Sequence, residues 1–192
     1  KAVFNGKVVF VGNSLKKRVL INKITEGNQD SLFNTIDTIQ ATFRDRKEAN
    51  YTVTFCDIAS QEEHALSQTF RLRNANVVVL ISDVKKTDDN NAIEELNHYF
   101  HGIVQKVSEN VAQRTIILTN DKNGVASQKR LNDICKWCVE EGCMSCVQAS
   151  TKTDMGIGEV RGMILDLLAK QRPEKPSPGL VDLTEVLAPK PK

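Results

Sequence analysis

Two continuous apolar runs constrain the fold most strongly, because polar residues do not interrupt either of them. They read VVVLI at positions 77–81 and TIIL at positions 115–118. A β-strand with one face in water alternates apolar and polar side chains, whereas a parallel strand covered on both faces is apolar throughout. The runs therefore predict central strands of a parallel sheet that has helices packed on both faces.

Apolar runs of this kind alternate with stretches of helical period along the chain. We predict strands at 7–11, 51–57, 76–82, 114–120 and 143–149, and helices at 18–24, 62–72, 92–110, 128–141 and 158–171. A further strand near 38–43 would form a hairpin with 51–57. This order predicts a doubly wound α/β domain, with a mostly parallel six-stranded sheet, one antiparallel edge strand and helices on both faces.

The distribution of proline divides the chain into two parts. All five prolines lie from Pro173 onward, so we predict one domain at 1–172 and a Pro-rich C-terminal tail at 173–192. Leu180 and Leu183 belong to a short apolar patch within that tail. We expect this patch to bind either the domain itself or a protein partner.

Charge and cysteine content exclude several classes of function. The net charge of +2 is too small to indicate a nucleic-acid-binding protein. No run approaches the roughly 20 apolar residues that a membrane span requires. The chain has an odd number of cysteines, five, and an α/β pattern. Both features favour an intracellular, reducing compartment over a disulfide scaffold.

The segment after the first predicted strand resembles a phosphate-binding loop that has lost its essential residues. Such a loop reads G-x-x-x-x-G-K-[ST], and counting from Gly12 puts Lys17, Arg18 and Val19 at the last three positions. The second glycine lets backbone N–H groups approach phosphate oxygens, and the hydroxyl binds Mg²⁺. The spacing therefore predicts an obstructed phosphate site, in which Arg18 keeps a charge that could still pair with a phosphate.

Four later segments resemble motifs of the Ras superfamily of small GTPases, and Rab-type domains in particular. They read FNTI at 33–36, DIASQE at 57–62, ILTNDKN at 117–123 and ASTK at 149–152. These are similar to the first switch, the D-T-A-G-Q-E segment, the strand that ends in N-K-x-D and the S-A-K segment. With the loop, they span residues 7–171 in the family's order. The resemblance implies the small G-protein fold.

The resemblance assigns roles to individual residues. Thr35 and Asp57 match residues of the magnesium site, and Gln61 matches the glutamine that positions the attacking water. Asn120 matches the asparagine that reads guanine. Asn123 stands where the family has an aspartate that accepts two guanine hydrogen bonds, and an amide can accept only one of them.

Other departures weaken the nucleotide site further. Ser60 replaces the glycine that contacts the γ-phosphate, and Asp121 replaces a lysine. We regard Gln61 and Thr35 as degenerate equivalents of catalytic residues. If nucleotide binding is retained, the contacting residues would be Gly12, Asn13, Ser14, Arg18, Asp57, Asn120, Asn123, Ser150 and Lys152.

These departures lead us to expect a catalytically inactive domain, a pseudo-GTPase, that acts as a scaffold subunit through protein partners. We expect no cofactor and no magnesium. The alternative is a divergent Rab-like GTPase that binds GTP or GDP weakly and hydrolyses GTP slowly. The expected interaction surface consists of Thr35, Ile36, Ile39, Phe43, Gln61, Phe70, Leu180 and Leu183.

The remaining cysteines allow two interpretations. Four thiols at C-x₂-C-x₄-C-x₂-C spacing could bind zinc or an iron–sulfur cluster, but small core residues on a helix and the next strand are favoured. These are Cys135, Cys138, Cys143 and Cys146.

Ras and Rab proteins usually end in prenylated cysteines. Because no cysteine follows Cys146 in this sequence, we expect no prenyl anchor.

Overall fold

The computed structural model describes residues 3–14, 16–58, 65–84, 91–121 and 128–172, except for the side chains of 65–67. The predicted tail at 173–192, with Leu180 and Leu183, lies outside the described residues. The same holds for Gln61 and Asn123. The predictions made for these residues therefore stay predictions.

Strands and helices alternate along the described chain. The strands are β1 (Val3–Val11), β2 (Thr38–Arg44), β3 (Asn50–Asp57), β4 (Val77–Asp83), β5 (Thr115–Asn120) and β6 (Ser145–Ala149). The helices are α1 (Lys17–Ile24), α2 (Ala65–Leu72), α3 (Asn91–Tyr99), α4 (Gln128–Glu140) and α5 (Ile157–Gln171). None of the helices in the described ranges combines the length and apolar character that a membrane crossing requires.

The six strands form a single sheet in the order β2-β3-β1-β4-β5-β6. The edge strand β2 pairs antiparallel with β3, and the other four pairings are parallel. Long apolar runs were the signal for the central strands, and the first six residues of β4 are indeed buried. The predicted fold class is confirmed.

Helices cover both faces of the sheet because successive side chains of each strand point in opposite directions. Val8 and Phe10 of β1 belong to a core that also contains residues of α1 and α5. Val9 and Val11 belong to a second core, which α3 and α4 complete. The sheet is therefore the middle of three layers. Because the helices pack on its two faces, a ligand site would lie at its carboxyl edge.

Two predicted boundaries differ from the structure by four residues or more, and the others that the structure describes differ by fewer. The first strand begins at Val3 rather than at residue 7, because β1 pairs with β3 from Val3 onward and Phe4 contacts the Tyr51 ring. The helix predicted over 92–110 ends at Tyr99 and continues as a π-helical turn over Phe100–Val104. Asn5 and Gly6 hid the first extension, and no local signal marked the second change.

Candidate functional site

The predicted nucleotide-contacting residues meet at the carboxyl edge of the sheet. Gly12 follows β1, Asp57 ends β3, Asn120 ends β5 and Ser150 follows β6. Parallel strands bring their carboxyl ends to one edge, and ligands of doubly wound sheets bind there. The topology thus brings these four residues together, as the spacing of the motifs predicts.

Gly12 is required at the end of β1 by close packing against β4. Its φ is +127°, and a Cβ at this position would lie 2.4 Å from the Ile81 carbonyl oxygen. Both the left-handed conformation and the close approach exclude larger residues. The first glycine of the loop is therefore fixed by the packing of the sheet, whatever the loop binds.

The cation inside the loop is Lys17, whereas the spacing argument gave that position to Arg18. The Lys17 Nζ donates a hydrogen bond to the Gly12 carbonyl oxygen at 2.6 Å, and the residue is 3% exposed. Helix α1 begins at Lys17 itself. The loop is therefore one residue shorter than the motif, which puts Lys16 at the second-glycine position and Arg18 at the hydroxyl position.

Lys17 is held by partners within the protein. Burial lowers the pKa of its ammonium group, while the carboxylates of Asp57 and Asp83 raise it. A buried charge is tolerated only where opposite charges and hydrogen-bond acceptors surround it. The Gly12 carbonyl and the two carboxylates supply that environment without a phosphate.

Asp83 at the end of β4 connects the loop to β5, and sequence reasoning did not single it out. The Ser14 hydroxyl donates to its Oδ1 at 2.9 Å, and the Asn120 side-chain amide donates to the same oxygen at 3.1 Å. The available signal was its place directly after a buried apolar run. Two predicted nucleotide contacts, Ser14 and Asn120, are thus engaged in holding the loop.

Arg18 points away from the loop and contacts the segment that resembles the first switch. Its guanidinium donates to the Ile36 carbonyl at 3.2 Å and to the Thr35 carbonyl at 3.3 Å. The Thr35 hydroxyl lies 2.7 Å from the Thr38 hydroxyl and accepts the Thr38 backbone N–H at 3.1 Å. Hydrogen bonds between Thr35 and Thr38 therefore stabilise the segment internally, and the Arg18 guanidinium connects it to α1.

These contacts do not fit a magnesium ion. Mg²⁺ takes oxygen ligands in octahedral geometry, and α1 offers no hydroxyl in either alignment, because Val19 and Arg18 stand at the two candidate positions. Arg18 has only donor groups, and the Thr35 hydroxyl is engaged by Thr38. Across the described ranges, no group of three or more His, Cys, Asp or Glu residues is placed to hold a metal ion.

The base-reading end of the site is also held by protein contacts. Asp121 is 2% exposed and accepts from the Gln148 amide at 3.4 Å. The Ser150 hydroxyl accepts the backbone N–H groups of Lys152 and Thr153, both at 3.2 Å. The Lys152 side chain is exposed. Ser150 therefore stabilises its own turn, and a buried carboxylate stands where the family has a lysine.

Two buried oxygen atoms at this edge remain without a hydrogen-bond partner among the described residues. They are Oδ1 of Asp57 and Oδ1 of Asn120. Buried polar atoms are usually paired, so each of these acceptors has capacity for a donor. Asn13, the remaining predicted contact, instead lines a shallow depression with Glu94 and Glu95 of α3, whose negative charge disfavours a phosphate.

The residues of the expected interaction surface differ in their exposure to solvent. Ile36 is 91% exposed and Phe70 is 70% exposed. Ile39 and Phe43 are wrong, because both belong to the core between the sheet, α1 and α5. In β2 the alternate residues Ile39, Ala41 and Phe43 point inward. Leu32 and Phe33, which the sequence analysis did not assign to this surface, are exposed.

Comparison with known protein families shows what the chain is similar to. A sequence model of the Ras family matches residues 7–170. No curated protein matches the chain. The matched range begins at the strand before the Gly12 loop and ends within α5, so it contains every described residue of the candidate site.

Proposed function

The chain belongs to the Ras family, and we propose that it acts there as a pseudo-GTPase. In this proposal, contacts within the protein replace the contacts that a nucleotide and magnesium make in a working site. The domain then holds one conformation and serves as a scaffold subunit that binds other proteins. It does not turn over GTP.

The contact of Arg18 with the 35–36 segment carries the proposal. A GTPase orders this segment through magnesium and the γ-phosphate and releases it on hydrolysis. Here a permanently charged side chain donates to two carbonyl oxygens of the same segment. Because an arginine remains protonated at any physiological pH, this contact does not depend on the bound nucleotide.

The environment of Lys17 supports the same proposal. A phosphate-binding lysine must be able to exchange its partners for phosphate oxygens. The Lys17 ammonium is buried with the Gly12 carbonyl and with Asp57 and Asp83 nearby. Phosphate oxygens beside those two carboxylates would meet like charge, which raises the free energy of the bound state.

Exposed apolar side chains beside this segment support a protein partner. Leu32 is 89% exposed and Phe33 is 59% exposed, and both precede the exposed Ile36. The ion pair between Arg71 and Asp37, at 3.6 Å, brings α2 with Phe70 close to the same segment. A cluster of large exposed apolar residues is typical of a protein interaction surface.

Nucleotide content and affinity test the proposal directly. We expect that denaturing the purified protein releases no GDP or GTP detectable by anion-exchange chromatography of the supernatant. We also expect that fluorescent GDP binds more weakly than about 100 µM, with or without magnesium. Stoichiometric released nucleotide, or micromolar affinity that requires magnesium, would contradict the proposal.

The Arg18 contact has its own test. In Arg18→Ala, hydrogen exchange at the amides of 35–38 should rise by roughly threefold to tenfold because the tie to α1 is lost. The control is Lys23→Ala, since Lys23 lies on the same helix but pairs with Asp154 near α5. If the two variants exchange equally at 35–38, Arg18 does not hold the segment.

A divergent nucleotide-binding protein is the second candidate, and two acceptors favour it. The unpartnered buried oxygens of Asp57 and Asn120 could accept donors from a ligand. The two candidates differ in an Asn120→Ala variant. In the second candidate this variant loses fluorescent GDP binding, whereas in the pseudo-GTPase there is no such binding to lose.

A further inference from the structure

A depression of about 430 Å³ lies where β5 and β6 begin, at the edge of the sheet opposite to the candidate site. Its walls are formed by the 3₁₀ turn Val111–Arg114, by the residue before β6 and by the end of α5. Clefts of this volume are large enough to hold a bound molecule. Because the candidate site lies at the other ends of these strands, what binds in the depression is independent of the proposed function.

The lining of the depression carries positive charge and contains no acidic residue. Its two charged residues are Arg114 and Lys170. The Arg114 Nε donates to the Ala75 carbonyl at 3.1 Å, which uses one of the five N–H groups of the guanidinium. Lys170 is exposed, and neither cation forms an ion pair with a carboxylate of the described residues. The depression therefore favours an occupant with acidic groups.

Apolar side chains and a fixed rim complete the depression. Met144 is half-buried and Leu167 is buried, and both pack with the core between the sheet, α1 and α5. The Gln171 side chain at the rim donates to the Asn76 carbonyl at 2.8 Å and accepts from the Asn76 side-chain amide at 3.2 Å. These contacts hold the rim in place. An occupant should therefore combine apolar side chains with acidic ones.

One segment of this chain has that composition. Residues 180–187 read LVDLTEVL, with five apolar residues, the acids Asp182 and Glu185, and no basic residue. The segment lies outside the described residues, so its sequence and its reach carry the argument. Its charge is opposite to that of the depression, and its leucines and valines match the apolar part of the lining.

The chain is long enough to bring this segment to the depression. Arg172 is held on the other side of the end of α5, by Asp45 and the Phe4 ring, so the chain must turn back. Eight residues separate Arg172 from the start of the segment, which an extended chain can span over roughly 26 Å. The Pro-Gly pair at 178–179 is typical of a turn, and it directly precedes the segment.

We propose that residues 180–187 fold back and bind in this depression. In this arrangement the two acidic side chains lie beside Arg114 and Lys170, and apolar side chains of the segment contact Met144. The short connection gives the segment an effective concentration in the millimolar range, so weak contacts are sufficient to hold it. The segment then covers its own domain and is not a surface for a protein partner.

Hydrogen exchange of the full chain, measured by mass spectrometry at about 50 mM salt to limit screening, tests the proposal. The amides of 180–187 should exchange about tenfold more slowly than those of a synthetic peptide of residues 173–192. Lys170→Glu should remove most of this protection, because the acids then meet a like charge. Combining Lys170→Glu with Asp182→Lys or with Glu185→Lys should restore the protection in one of the two double variants.

A charge reversal elsewhere is the matched control. Lys129→Glu changes an exposed lysine of α4 outside the depression, and it should leave the exchange of 180–187 unchanged. The proposal is overturned if the segment exchanges as fast as the peptide, or if Lys129→Glu and Lys170→Glu have equal effects. Protection that rises with protein concentration, together with a dimer in sedimentation, would mean that a second copy supplies the segment, and would also overturn it.

A measurement on the wild type keeps the test valid where a variant fails to fold. A zero-length carbodiimide joins a carboxylate and an amine that lie in contact, with loss of water. In the monomeric full chain it should link Lys170 to Asp182 or Glu185, as peptide mapping would show. If the acids of the segment are recovered without a link to Lys170, the segment does not bind there.

Discussion

Two adjacent cations at the start of α1 have opposite environments. Successive helix residues project about 100° apart, so Lys17 enters the loop while Arg18 reaches the 35–36 segment. A flexible amine suits a single buried carbonyl, and a planar fork suits two adjacent carbonyls. At the scale of the residue, the candidate site is therefore defined by two side-chain directions: Lys17 points into the loop, and Arg18 points toward the 35–36 segment.

The Lys17 ammonium should stabilise the fold measurably. Lys17→Met leaves the Gly12 carbonyl and the nearby carboxylates of Asp57 and Asp83 without their cation. We expect a loss of roughly 2–3 kcal/mol in the free energy of unfolding, measured by urea denaturation. Lys16→Met is the control, because Lys16 is not fully buried. Equal losses in both variants would contradict the assigned role of Lys17.

Two glycines near the start of α5 should respond to alanine in opposite ways. Gly156 has φ of +76°, and an added Cβ would lie 2.1 Å from the Gln148 carbonyl oxygen. Gly156→Ala should therefore destabilise the protein by about 2 kcal/mol or more. Gly158 is helical with open space around it, so Gly158→Ala should stabilise the protein by about 0.5–1 kcal/mol.

Thermal and urea unfolding of the two variants measure this difference. A Gly156→Ala variant as stable as the wild type would mean that the turn between β6 and α5 is not held in the left-handed conformation. This turn follows Ser150, so its geometry also determines the base-reading end of the candidate site.

At the scale of elements, an ionisable group links the π-helical turn after α3 to the end of α4. His101 Nε2 lies 3.0 Å from the Glu141 carboxylate, and Nδ1 lies 2.7 Å from the Gln105 side-chain oxygen. The Gln105 hydrogen bond raises the pKa of His101 most, burial opposes this effect, and the hydrogen bond and charge of Glu141 raise the pKa further, so that the net shift is upward. Both ring nitrogens donate when the imidazolium forms.

This link should make stability depend on pH. The folded-state pKa of His101 is raised, so its contribution is fully present below the unfolded pKa of about 6.5 and is lost as pH rises through the higher folded value. His101 is 42% exposed, so we expect less than about 1 kcal/mol. Urea denaturation of wild type and His101→Gln at pH 6 and pH 8 should show a smaller difference at pH 8.

Glu141→Gln provides the matched control for this pH effect. It removes the charged partner and keeps the side-chain size, so it should reduce the pH dependence in the same direction as His101→Gln. A wild-type protein that gains stability relative to His101→Gln between pH 6 and pH 8 would contradict the assignment.

At the scale of the whole molecule, two arginines, one in α5 and one directly after it, connect parts of the fold that are distant in sequence. Arg172, after α5, lies 3.8 Å from the Asp45 carboxylate and packs over the Phe4 ring at 5.1 Å. Arg161 of α5 donates to the Ile24 carbonyl of α1 at 2.7 Å. These contacts join α5 and the residue after it to α1, to β1 and to the turn after β2.

The pseudo-GTPase proposal predicts that stability is insensitive to magnesium and GTP. A ligand that binds the folded state about 1,000-fold above its dissociation constant adds about 4 kcal/mol. For a chain of this size that corresponds to a rise of roughly 10 °C in Tm. We expect a change below about 1 °C with about 1 mM Mg·GTP, measured by calorimetry, and no change on adding a chelator. A rise of several degrees would favour the divergent GTPase.

The sequence by itself determined the layered, mostly parallel sheet with its antiparallel edge strand, and the family. Apolar runs and helical periods are local patterns that can be read from one sequence. The apolar runs at 77–81 and 115–118 correspond to the buried strands β4 and β5 of the structure. The alternation of Ile39, Ala41 and Phe43 in β2 was also readable, and it would have removed Ile39 and Phe43 from the interaction surface.

The tertiary structure alone decided the remaining features of the site. The loop is one residue shorter than the motif. Which cation enters the loop therefore depends on where α1 begins, and this cation is Lys17. The use of Asp83 by Ser14 and Asn120 joins residues distant in sequence. Such contacts are set by side-chain direction and by the packing of whole elements, and a single sequence contains neither kind of information.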